Sequence, residues 1–218
     1  MSEIVSQKVE KFYPSQEVID NARIKDWDKL NDYATANNED FWISQANELH
    51  WFKKWDKYID DSNKPFYKFY TNAETNIAYN CLDVHLKTHN RNKLAIIWEG
   101  ENGESKTFSY YALHREVSKF SNVLLSMGVK KGDRVTIYMG RVPELVIAML
   151  ACARIGAIHS VVYGGFSTEA LHERIEDSQS RVVITCDGAF QRGKIVNLKD
   201  ICDDACDRSG IVEFVLVI

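Results

Sequence analysis

Proline is scarce in this chain, three residues in 218, and one of them, Pro143, stands where a helix could begin. That scarcity excludes proline-rich linkers and polyproline segments. No internal repeat is visible, which excludes solenoids and propellers. No run of 18 or more apolar residues occurs, so no membrane-spanning helix is expected. The N-terminus, MSEIVSQKVEKF, is polar and lacks the apolar stretch of a signal peptide. The five cysteines, at 81, 152, 186, 202 and 206, are odd in number and show no CxxC spacing. That excludes a disulfide framework or a paired-cysteine zinc site, and a reduced, cytoplasmic protein is expected. A formal net charge of -4 leaves no global basic field for nucleic acid. His85, His89, His114, His159 and His172 have no metal-type spacing. Neither a GxxxxGK[ST] loop nor a Ser-Gly-Thr-Thr-Gly-like loop is present, and no residue is assigned a catalytic role.

What is present is a strongly periodic stretch from 132 to 194. After the turn Lys131-Gly132-Asp133, Val135, Ile137 and Met139 mark a short strand. Leu145, Ile147, Ala148, Leu150, Ala151 and Ile155 then form a broad apolar stripe, with Pro143 and Glu144 in the first turn and Gly156 at the end. Ile158 to Tyr163 reads as a second strand, broken at Gly164-Gly165. Ser167 is a candidate N-cap for a second helix, with Glu169 and Glu173 near its positive end, and Arg181 to Thr185 is a third strand. Strand, helix, strand, helix, strand predicts βαβ units and a parallel sheet flanked by helices. Strands are expected near 94–98, 133–139, 158–163, 181–186 and 212–218, all in that sheet. The fold class is therefore α/β.

Around this stretch, residues 1–50 read as helical and acidic, with Ser15, Asp26 and Asn38 as candidate caps. Aromatics crowd between 51 and 70. They suit either a ligand platform or rings packed onto a larger domain, and packing is the favoured reading. Asn76 to His89 reads helical, and Asn102-Gly103 predicts a hairpin turn. Ser109 should cap a long helix that ends at Gly128, and Asn197 to Arg208 reads as a further helix. Residues 212–218 are apolar on both strand faces, so the chain is expected to be cut from a longer protein, to expose an apolar edge and to self-associate. Cys81, Cys152 and Cys186 are read as small core residues without a local partner for nucleophilic chemistry, and His159 as a core histidine. The organisation is a helical, aromatic-rich extension over 1–90 followed by an α/β subdomain over 91–218.

Ligands of parallel sheets bind beyond the strand C-termini, so three loops are candidates. The loop Gln191-Arg192-Gly193-Lys194 places two cations around a glycine before a helix, a pattern that favours a phosphate. Gly164 and Gly165 let backbone approach another group closely. Gly140-Arg141 is the third, with Arg141 read as a surface residue.

Several motifs resemble those of AMP-forming acetyl-CoA synthetases, in the adenylate-forming superfamily of acyl-CoA synthetases and luciferases. They are Trp51-Phe52-Lys53-Lys54-Trp55-Asp56, Tyr79-Asn80-Cys81-Leu82-Asp83, Trp98-Glu99-Gly100, Tyr111 to Val117, Gly128 to Val135 and the run Ala151 to Phe166. The likeness runs from about residue 12 onward, and it implies that the chain forms the first part of the large N-terminal domain of that fold. It implies a parent reaction in which acetate and ATP, with magnesium, give acetyl-adenylate and pyrophosphate, after which coenzyme A displaces AMP. It also implies that Gln191, Arg192, Gly193 and Lys194 contact the nucleotide phosphates of coenzyme A, and that Gly164 and Gly165 border the pantetheine path. The family pattern often has arginine at the position of Gln191. Its ATP loop, acyl pocket and mobile C-terminal domain have no counterpart here, so the chain alone is expected to be inactive. A propionate or other short-chain ligase, and a stand-alone CoA- or nucleotide-binding module, remain the alternatives.

Overall fold

The computed structural model describes residues 11–218, so the helical expectation for residues 1–10 lies outside the described residues. The chain divides into two compact units, residues 1–49 and 50–218. The first carries three short helices, α1 (Gln16–Asn21), α2 (Trp27–Ala36) and α3 (Asn38–Ala46). Ser15 and Asp26 cap α1 and α2 by accepting from the backbone N–H groups of Val18 and Lys29. Asn38 is not a cap. Asn37 separates α2 from α3, and its side-chain amide turns back to the carbonyl of Tyr33, which leaves Asn38 as the first helical residue of α3.

The second unit opens on the antiparallel pair β1 (Lys57–Asp60) and β2 (Lys68–Thr71). Here the aromatic segment packs its rings on one another. Trp51, Trp55 and Tyr58 all lie within 5.5 Å of Tyr70, centroid to centroid. The expected helix over 76–89 is broken into a π turn (Tyr79–Asp83), α4 (Val84–Leu86) and a 3-10 turn (His89–Asn92). The Thr88 hydroxyl accepts from the N–H of Asn90 and so starts a new turn where the helix would continue. Cys81 is exposed rather than a core residue, because the π turn buries Leu82 and faces Cys81 outward.

The strand expected at 94–98 forms as β3 (Leu94–Glu99), but it does not join the parallel sheet. It pairs antiparallel with β4 (Ser105–Ser109), which the turn around Asn102-Gly103 folds back beside it. Ser109 then caps α5 (Tyr110–Ser126) by accepting from Ala112 N–H. The βαβ core follows as β5 (Arg134–Met139), α6 (Pro143–Ile155), β6 (Ile158–Tyr163), α7 (Thr168–Ser178) and β7 (Val182–Thr185). A hairpin, β8 (Gly188–Gln191) and β9 (Lys194–Asn197), precedes α8 (Leu198–Ser209) and β10 (Phe214–Val217).

The four strands β10, β7, β5 and β6 lie in that order, all parallel. The chain moves one way from β5 to β6 and the opposite way from β6 to β7 and β10. Right-handed crossovers therefore put α6 on one face and α7 and α8 on the other, and α5 packs with α6 as α7 packs with α8. The central strand β5 is buried from Val135 to Met139. Burying Val135 and Ile137 contributes about 1.5–3 kcal/mol each. On α5, which packs on α6, buried Ser121 donates to the carbonyl of Val117 at 2.8 Å and so satisfies its hydroxyl. Gly156 ends α6 at φ 77°, a conformation that suits glycine. Asp83 joins the π turn to two helices: its carboxylate accepts from Arg154 at 2.6 Å and lies 3.3 Å from His114 Nε2.

Candidate functional site

The direction of winding reverses at β5, with β6 on one side and β7 on the other. Ligands of open parallel sheets bind beyond the carboxyl ends of the strands at such a reversal. All three candidate loops gather at this end of the sheet. Gly140 follows β5 and faces the hairpin so closely that a Cβ on it would lie 2.4 Å from Ala189 Cβ. Gly164 follows β6 and lies against the end of β5, where an added Cβ would come within 2.8 Å of the Met139 carbonyl oxygen. A tight glycine connection and close backbone approach thus coincide at Gly164.

The turn beyond β6 is held from below. Tyr138, fully buried on β5, sends its hydroxyl to the carbonyl of Phe166 at 2.8 Å. Burial pushes the Tyr138 phenol up to about 12, since the phenolate would be desolvated. Burial also lifts the Cys152 thiol to about 12 and lowers the half-buried His159 imidazole. Both are shaped by packing. Arg141 is exposed, and its carbonyl accepts from the Trp98 indole N–H at 2.7 Å.

Residues 191–194 are not a loop at a helix start. They are the tip of the β8–β9 hairpin, with Gln191 opposite Lys194 and the turn made by Arg192 at φ 53° and Gly193 at φ 73°. A two-residue turn with both φ values positive suits the twist of the flanking strands. The first N–H groups of α8, those of Leu198 and Lys199, are taken by the Asp187 carbonyl. The N–H groups at the tip are taken too: those of Arg192 and Gly193 donate to Glu101 Oε1 and Oε2 at 3.2 and 3.1 Å. A carboxylate of the chain itself thus sits where a phosphate could sit on this turn. The side chains of Arg192 and Lys194 remain exposed, and no salt bridge occupies either among the described residues.

Gln191 points elsewhere. Its side-chain amide donates to the Tyr163 hydroxyl at 2.6 Å, which ties the hairpin to the last residue of β6. Glu101, Trp98 and Tyr163 are the contributors that sequence reasoning missed. Tyr163 was read only as a strand end, and no local signal marks Glu101, which lies in the β3–β4 turn.

Among the described residues no three His, Cys, Asp or Glu side chains are grouped so as to hold a metal ion. No helix among the described residues is long and apolar enough to cross a membrane. Two cysteines do meet: Cys202 and Cys206, one turn apart on α8, have their sulfurs 3.8 Å apart, and both are buried. The hydrogen bond between them favours a thiolate on Cys202 and opposes one on Cys206.

Residues 82–215 match the family described as AMP-binding enzyme, and residues 27–81 match the acetyl-coenzyme A synthetase N-terminus. The chain is 46% identical over 221 residues to acetyl-coenzyme A synthetase of Chlorobaculum tepidum, an alignment that covers 100% of this chain and 33% of that protein. It is 49% identical over 208 residues to the Streptomyces coelicolor protein of the same name, covering 95% and 32%. With that of Pyrobaculum arsenaticum it shares 51% over 198 residues, covering 87% and 30%. The chain therefore spans about a third of the length of these curated relatives.

Proposed function

The chain belongs to the AMP-binding enzyme family, and on that premise we propose that it is the N-terminal part of an AMP-forming acetate–CoA ligase. The parent reaction has two steps. An acetate oxygen attacks the α-phosphorus of ATP and pyrophosphate leaves, giving acetyl-adenylate. The thiol of coenzyme A then attacks the acetyl carbon and AMP leaves, giving acetyl-CoA. The observation that carries this chain's share is the convergence of three loops beyond the carboxyl end of β5, with the Arg192 and Lys194 side chains exposed and in no salt bridge among the described residues. In this reading Arg192 and Lys194 bind the nucleotide phosphates of coenzyme A through their side chains. Gly193 makes the turn that aims them, and Gly164 and Gly165 border the pantetheine path. Gln191 belongs to the same border.

Acetate, ATP and coenzyme A are the small-molecule partners, and magnesium accompanies ATP on residues outside this chain. A cytoplasmic location goes with this reading. So does self-association of the isolated chain, since Ile158, Val161 and Tyr163 on one sheet edge and Phe214 and Val217 on the other are exposed.

Adenylation needs a cradle for the β- and γ-phosphates and a pocket that aligns the carboxylate with phosphorus. Because the chain has no Gly/Ser/Thr phosphate loop, it should catalyse neither step alone. The experiment is acetate-dependent ATP–pyrophosphate exchange, run on the full-length protein and on this chain. Exchange by the former and none by the latter is expected. Exchange by the purified chain, or none by the full-length protein with any short-chain acid, would contradict the proposal.

A further inference from the structure

The family pattern often carries arginine where this chain has Gln191, which on charge alone would weaken a phosphate site. The geometry points to a different role: we infer that Gln191 and Tyr163 form a buckle that positions the cation-bearing hairpin tip over the glycine turn, so Gln191 acts through Tyr163 and not as a phosphate ligand. This inference rests on the reading of Arg192 and Lys194 as coenzyme A phosphate contacts.

Three observations carry it. First, Gln191 closes the hairpin turn opposite Lys194, so whatever fixes Gln191 fixes the two strands from which Arg192 and Lys194 project. Its Nε2 reaches the Tyr163 hydroxyl at 2.6 Å. Second, Tyr163 is packed onto the glycine turn. A Cβ on Gly165 would lie 2.5 Å from Tyr163 Cε1, so the ring occupies the space that a side chain at 165 would need. Third, the turn is braced on its far side. Phe166 meets Tyr163 edge-on at 5.8 Å, the Arg174 guanidinium lies 4.6 Å from the Phe166 ring, and the Tyr138 hydroxyl holds the Phe166 carbonyl. One hydrogen bond therefore connects a braced turn to a hairpin whose tip, among the described residues, is otherwise tied by the side chain of Glu101. A two-stranded hairpin is marginal alone and takes its orientation from such ties.

Tyr163 is half exposed, so the bond is of ordinary strength. Losing it should cost roughly a three- to ten-fold rise in the apparent KM for coenzyme A. The experiment is a double-mutant cycle in the full-length protein with Tyr163→Phe, Gln191→Leu and both, beside Arg192→Ala with Lys194→Ala as a separate variant. Melting temperatures would confirm folding. If the pair acts as a unit, each single change raises the KM for coenzyme A, the double is no worse than the worse single, and kcat and the KM for ATP and acetate stay within about two-fold. Additive effects, or no effect of Tyr163→Phe while removal of the two cations raises the KM, would overturn the buckle and leave the phosphate reading standing. No effect of removing the cations would overturn both.

Discussion

Glu101 accepts a hydrogen bond from the backbone N–H of Gly193 at 3.1 Å, across a sequence separation of 92 residues, and its second oxygen takes the N–H of Arg192. The β3–β4 hairpin, which stands outside the parallel sheet, is thereby fastened to the tip of the hairpin that carries the candidate phosphate-binding cations. Replacing Glu101 with alanine should release both N–H groups. Their hydrogen exchange, read by NMR, should accelerate by roughly ten-fold, the lower end expected for a charge-assisted bond in an exposed place. Unchanged exchange at both amides would mean that the carboxylate does not hold the turn.

Gly164 should tolerate no side chain. The added methyl of Gly164→Ala meets the Met139 backbone oxygen, which cannot move without disturbing the end of β5. Overpacking of this kind costs about 1–3 kcal/mol, or a few degrees of melting temperature in a domain of this size. Gly193→Ala strains a positive φ but meets no atom within 4 Å, so it should destabilise less and without a steric cause. Equal losses at the two positions would show that the close approach to the Met139 carbonyl is not what requires glycine at 164.

Tyr138 sets a pH dependence at the alkaline end. Its phenol is raised by burial to about 12 in the folded chain, whereas an unfolded tyrosine titrates near 10. The folded state therefore holds the proton more tightly. The stability this contributes is complete below pH 10 and is lost as pH rises from about 10 through 12. Tyr138→Phe should flatten that fall in denaturant titrations and should remove the latest step of phenolate absorbance. A phenolate step at Tyr138 near pH 10 in the folded protein would contradict the burial that holds the Phe166 carbonyl.

Much of the fold was legible because its signals are local. Ser109, Ser167 and Gly156 each mark a helix boundary through a bond or a φ that needs only neighbouring residues. The parallel order of β5, β6 and β7 followed from the alternation of strand and helix periods. What was not legible depends on partners far along the chain. The alternation at Leu94–Glu99 announces a strand but not its neighbour, and β4 captured it through the nearby turn. Residues 188–197 read as a loop because Arg192-Gly193 lacks the familiar asparagine or aspartate before glycine. The site's chemistry was half visible: Arg192 and Lys194 could be named from their charge, but Glu101 beneath them and Tyr163 beside Gln191 arrive only through tertiary folding.

Under the proposed function, coenzyme A meets this chain through the side chains of Arg192 and Lys194. The direct measurement is the apparent KM for coenzyme A in the full-length protein with each cation replaced by alanine, at saturating ATP and acetate. Charged hydrogen bonds worth about 1.5–3 kcal/mol predict a rise of about ten-fold or more for each replacement, with the KM for ATP and acetate unmoved. A KM for coenzyme A that stays at the wild-type value with both cations removed would contradict the claim.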